Sequence, residues 1–179
     1  FKVAGNRVGS LSAYKNAVFA FDVDNAFSVA PNLEPMDGQA GMIVELNGTT
    51  QTFGSHVDGS SHAPLLIRNS NANKSATVTL KQNTANRNSS LTISGPMTFV
   101  KDGTGCWALD PNSADTVAGG WFVLNGTLKY ASIADIGETC SLGSATNCWK
   151  TRNYAALPAY WDDPANRLPC EIVLGDWNG

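Results

Sequence analysis

The sequence predicts an all-β protein: a single-domain β-sandwich of the jelly-roll type, with an irregular, disulfide-stapled C-terminal loop region. Three observations carry that prediction. About ten short runs rich in Val, Ile, Thr and Phe are separated by Ser, Asn, Gly and Pro clusters. Apolar and polar residues alternate with period two, most clearly in Thr77-Val78-Thr79-Leu80, where Val78 and Leu80 are expected to face the core. No long helical period is present, and the one short helical candidate, Ala155–Trp161, is interrupted by Pro158.

Taken in order, residues 1–16 form a mildly apolar, Gly- and Ser-interrupted arm, and residues 17–179 the sandwich domain. The first expected strand is Val18–Val23. Met42–Leu46, Asn47-Gly48 and Thr49–Phe53 predict a hairpin, because Asn-Gly adopts positive φ at both positions of a tight type I′ turn. Trp121–Leu124, Asn125-Gly126 and Thr127–Tyr130 repeat that pattern. Leu65–Arg68, Ala76–Gln82, Leu91–Ser94, Met97–Lys101 and Glu171–Leu174 supply further strands, and residues 136–168 a long irregular loop.

Charged residues make up only 15% of the 179 residues, while Asn, Ser and Thr provide about a quarter, so the expected surface is neutral and polar. A net charge of −3 and a pI near 5.2 argue against nucleic acid as a partner. The charge is uneven, +2 through Lys101 and −5 after it. No apolar run approaches the ~20 residues of a membrane-spanning helix. A first residue Phe1 rather than Met, together with four cysteines and four Asn-x-Ser/Thr sequons, predicts an exported mature chain. The sequons fall at Asn47, Asn73, Asn88 and Asn125. Those at Asn47 and Asn125 also serve turn chemistry, which leaves Asn73 and Asn88 as the better glycan sites.

The cysteines, Cys106, Cys140, Cys148 and Cys170, lack the close pairs that zinc or redox motifs need, so two disulfides are expected. Three connectivities are open; Cys106 with Cys170 and Cys140 with Cys148 is the preferred one. His56, Asp58 and His62 share one Gly/Ser-rich segment and are weak metal candidates, a polar turn being the simpler reading. Asp22 and Asp24 fit a solvent-facing alternation better than a calcium site. There is no nucleophile elbow, phosphate loop or EF-hand spacing, so neither an enzyme nor a cofactor is expected. Trp107, Trp121, Trp149, Trp161 and Trp177, with Tyr154 and Tyr160, serve as packing residues or as platforms for sugars.

Asn32-Leu33-Glu34-Pro35-Met36-Asp37, together with Leu65–Asn71 and Ala76–Leu80, resembles the TasA/camelysin group of secreted fibre proteins and the archaeal bundling pilins. The resemblance covers residues 19–94 and none of the cysteines. It implies a structural subunit of an extracellular, cell-surface filament, assembled head-to-tail from identical subunits by donor-strand complementation, with neighbouring filaments free to bundle. The donated segment is then Phe1–Tyr14, with Phe1, Val3, Val8 and Leu11 as pegs. The bland alternative is a terminus that frays or pairs within its own domain. A secreted carbohydrate-binding adhesin is the second functional reading.

Overall fold

The computed structural model describes residues 1–36, 41–57, 64–83, 91–108, 116–117, 120–130, 139–140, 143–144 and 170–174. Their strands wind into a β-solenoid of about 4 turns, and the jelly-roll sandwich is thereby corrected. All but one of the paired ladders are parallel. The exception joins β14 (Thr139–Cys140) to β15 (Gly143–Ser144).

Parallel sheets form three walls, the third built from two separate sheets. Sheet 1 contains β2 (Ala17–Ala20), β4 (Met42–Glu45), β6 (Leu65–Arg68), β8 (Leu91–Gly95) and β11 (Thr116–Val117), adjacent in that order. Sheet 2 runs β5 (Thr50–Phe53), β7 (Ala76–Lys81), β9 (Met97–Asp102) and β12 (Gly120–Val123). The third wall begins with β1 (Ser10–Ala13) beside β3 (Asn32–Pro35), continues through a bridge between Leu33 and His56, and ends in β10 (Cys106–Ala108), β13 (Gly126–Tyr130) and β16 (Cys170–Leu174). Ala17 pairs with Met42, Met42 with Leu65 and Leu65 with Leu91, so the chain returns to the same wall after roughly two dozen residues.

The alternation is the one the sequence predicts. Val78, Leu80, Ile67, Val44 and Phe99 point inward and are fully buried. They stack rung upon rung in a single core closed at the N-terminal end by rings: Phe1 lies 5.0 Å from Phe21 and 4.9 Å from Phe27, and Phe21 lies 5.8 Å from Phe53. Burying each such ring contributes about 1.5–3 kcal/mol before entropy is counted. Among the described residues no helix is long and apolar enough to cross a membrane.

Both hairpins are corrected. Asn47 and Gly48 do adopt positive φ, 49° and 76°, and Thr49 N–H donates to Leu46 C=O at 2.9 Å. That turn is a corner of the solenoid, however, not a hairpin tip. β4 and β5, on either side of it, lie in different sheets and pair with strands one turn further on. β12 and β13 likewise part company across Asn125-Gly126.

Corners place backbone groups where the ladders stop, and buried amide side chains take up the missing bonds. Asn69, 3% exposed, uses all its capacity: its Oδ1 accepts from Gly48 N–H (2.8 Å) and Asn71 N–H (3.2 Å), and its Nδ2 donates to Lys74 C=O (2.7 Å) and Pro96 C=O (2.8 Å). It thus ties three successive corners between sheets 1 and 2. Gln51 spans Val23 C=O and Ala26 N–H, and Gln82 spans the N–H and C=O of His56. Gly95, at φ 97°, passes so close to this lock that a Cβ would lie 2.1 Å from Asn69 O.

Residues 1–14 are engaged by their own chain. Phe1 C=O accepts from Asp22 N–H at 2.9 Å and its α-ammonium donates to Ala20 C=O. Asn6 bridges to Phe27, and Leu11, in register with Leu33, is buried. The arm is the first turn of the solenoid.

Candidate functional site: the threonine face of sheet 2

With every second side chain of β5, β7 and β9 turned inward, the intervening ones form columns on the outside of sheet 2. Register fixes the columns: Thr50 pairs with Thr77 and Thr77 with Thr98; Thr52 pairs with Thr79 and Thr79 with Val100, which is followed by Phe122 on β12. Gln51, Phe53, Val78, Leu80, Phe99 and Lys101 lie beneath, each fully buried. Thr50 and Phe122 are exposed, and Thr52, Thr77, Thr79, Thr98 and Val100 half-buried, as expected of outward residues flanked by neighbouring rungs.

Parallel rungs stand about 4.8 Å apart, and residues i and i+2 of one strand about 6.6 Å apart. The result is a lattice of five threonines and one valine, two columns by three rungs. Threonine belongs in such strands because its β-branch restricts χ1 and suits the pleated surface. Each residue presents one methyl group and one hydroxyl that both donates and accepts. The rungs carry no charge in these two columns; Lys81 and Asp102, paired in register, mark the margin.

The other walls differ. Sheet 1 turns Val18, Ile43, Leu66 and Thr92 outward in one column, and Ala20, Glu45, Arg68 and Ser94 in the next. Glu45 accepts from Arg68 Nε (2.6 Å) and from Ser70 Oγ (2.6 Å) and N–H (3.0 Å). Burial pushes its pKa up, but these hydrogen bonds and that from Asn47 outweigh it and hold the carboxyl below its ordinary value. On the third wall Glu34 accepts from Ser10 and Ser12. Lys101, an unexpected occupant of the core, donates to Gly103 C=O (2.7 Å), Asn125 C=O (2.9 Å) and Asp102 C=O (3.2 Å). Its pKa is lowered by burial, against the opposing pull of Asp102 and Cys106.

The residues singled out from the sequence fall as follows. His56 is 1% exposed in the wall, and burial lowers its pKa to about 4, so it is neutral at pH 7. Asp58 and His62 lie outside the described residues. Asp22 accepts from Asn47 Nδ2 and Asp24 from Thr50 N–H, and among the described residues no group of His, Cys, Asp and Glu is gathered as for a metal ion. The Cys106 thiol is free among the described residues. β13 lies between β10 and β16, so Cys106 and Cys170 are two strand spacings apart, roughly 9.6 Å and beyond a disulfide's reach. Cys148 and the side chains of Cys140 and Cys170 lie outside the described residues. Asn73 is exposed, Asn47 and Asn125 half-buried, and Asn88 lies outside. Of the arm's pegs, Leu11 is buried, Phe1 packs on the core, and Val3 and Val8 are exposed. Trp107 is buried against Phe99; the Trp121 side chain and Trp149, Trp161, Trp177, Tyr154 and Tyr160 lie outside.

The threonine columns are absent from the list that the sequence produces. Their signal was the repeated Thr-x-Thr of Thr50-Gln51-Thr52 and Thr77-Val78-Thr79, which gains meaning only once the two tripeptides are known to be adjacent rungs. Comparison of the chain with family models, with curated proteins and with solved structures finds no match.

Proposed function

We propose that the protein is a surface-binding module whose threonine face docks on a solid that repeats at the spacing of the rungs. The in-register array of Thr50, Thr52, Thr77, Thr79 and Thr98 carries this reading. It is an uncharged patch on a parallel sheet, and its value lies in many weak contacts made at once. Rigid presentation removes the ordering cost that a flexible loop would pay at each contact. Such a module works outside the cell, where a solid is met. The test is co-sedimentation of the whole chain with ice, crystalline cellulose and crystalline chitin, alongside Thr77→Lys and Thr79→Lys variants. Retention on one solid, lost in both variants, is expected; equal retention of wild type and variants refutes a role for this face.

A filament subunit is the second reading, favoured by one observation. β2 is an open edge of sheet 1 and β1 an open edge of the third wall, and Val3, Val8, Tyr14, Val18 and Val29 are all exposed near that end. Because residues 1–14 are occupied in their own chain, assembly would proceed by end-to-end addition there. Sedimentation that stays monomeric at rising concentration contradicts it.

A further inference from the structure

Resting on the surface-binding reading, we infer that the solid is ice. Three features of the threonine face select it. The first is spacing. The oxygen repeat along the a axis of hexagonal ice differs from the rung separation of about 4.8 Å by only a few tenths of an ångström. The c-axis repeat exceeds the i to i+2 separation of about 6.6 Å by less than an ångström, and waters held between the rows take up that difference. Because register is unbroken from β5 through β9, the match does not drift across three rungs.

The second is chemistry. A threonine hydroxyl can replace a water in a lattice, since it donates one hydrogen bond and accepts others. The adjacent methyl orders the water around it without competing for those bonds. Side chains locked at χ1 by β-branching and by flanking rungs hold both groups in place before ice arrives. Val100, which completes the second column, keeps the methyl groups and loses only the hydroxyl.

The third is charge and shape. No ionised side chain stands in the two columns, as suits a neutral lattice and not a phosphate-bearing or acidic polymer. Nor do the threonine rungs turn an aromatic ring outward, the platform on which a sugar chain would stack; Phe122 stands one rung beyond them.

The experiment is partition of the intact protein into slowly growing ice, with thermal hysteresis measured on the same samples and co-sedimentation with cellulose and chitin in parallel. Wild-type protein is expected to enter the ice and to facet crystals. Thr77→Lys and Thr79→Lys are expected to lower hysteresis at least tenfold, while Thr92→Lys, on the outward face of sheet 1, leaves it unchanged. Thr79→Val is expected to retain more activity than Thr79→Ser. Unfolding curves of every variant separate loss of binding from loss of fold. If wild type is excluded from ice yet binds a polysaccharide through Thr79, the ice inference is overturned and the surface-binding reading stands. If it binds no solid, both are overturned. Equal loss in Thr92→Lys and Thr79→Lys also overturns the assignment to this face.

Discussion

Asn69→Ala removes four hydrogen bonds at one stroke, and none of the four partners is another side chain. Gly48 N–H and Asn71 N–H lose an acceptor, Lys74 C=O and Pro96 C=O a donor, and they belong to three successive corners of the solenoid. A net hydrogen bond contributes about 1 kcal/mol, and a buried polar group left unmade costs about 1–3 kcal/mol. Asn71 and Lys74 sit where water reaches, so their two losses are discounted to the lower figure. The total comes to roughly 4–8 kcal/mol, a large fraction of the ~5–15 kcal/mol stability of an ordinary domain. The assay is urea denaturation at pH 7, read as a fall in midpoint at unchanged slope. Asn69→Asp keeps the two acceptor bonds but turns a carboxylate toward two carbonyls, and should be no better than alanine. Asn73→Ala, on the exposed part of the same turn, should lie within about 0.5 kcal/mol of wild type. An Asn69→Ala protein within about 1 kcal/mol of wild type would refute the idea that this side chain locks the corners.

Gly95→Ala should cost at least about 2 kcal/mol in the same assay, since φ of 97° and a Cβ 2.1 Å from Asn69 O demand a shift of backbone. His56 supplies a pH dependence: its folded pKa of about 4 lies below the unfolded 6.5, so the unfolded chain binds the proton first and stability falls with pH across that window. The loss should reach about 2 kcal/mol at pH 5 and vanish in His56→Gln, as measured by urea midpoints between pH 7 and pH 4.5. Deletion of residues 1–14 uncovers Leu33 and Phe21 and discards buried Leu11 and the Phe1 stack, at about 1.5–3 kcal/mol for each lost side chain. A midpoint unchanged by the deletion would mean that the first turn does not pack as described.

Ten of the strands were legible in the sequence, whereas β1, β3, β10, β11, β14 and β15 were not. Leu65–Arg68 is found with the expected bounds, and Val78 and Leu80 face the core as the alternation requires. What period two does not contain is the partner of each strand. Asn47-Gly48 shows why: the positive φ values that close a hairpin also turn a corner, and the local signal is the same whether the chain folds back on itself or passes to the next wall. The choice is made by residues far away. Gly48 N–H is held by Asn69, and β5 is held by β7. The burial of Asn69, Gln51 and Gln82 leaves no local mark in the sequence, because burial of an amide is set by tertiary structure. Lys101 is hidden for the same reason, its three acceptors being carbonyls at a corner. The threonine face follows from the parallel register, so one wrong pairing dissolved it.

That register is the claim on which the rest depends, and side-chain nuclear Overhauser contacts in the folded protein test it most directly. The solenoid places Ile43 beside Leu66 and Thr52 beside Thr79, so contacts between those methyl groups are expected. An Asn-Gly hairpin would instead set Ile43 opposite Thr52, and a strong Ile43–Thr52 contact without the other two would contradict the parallel coil and the threonine array together.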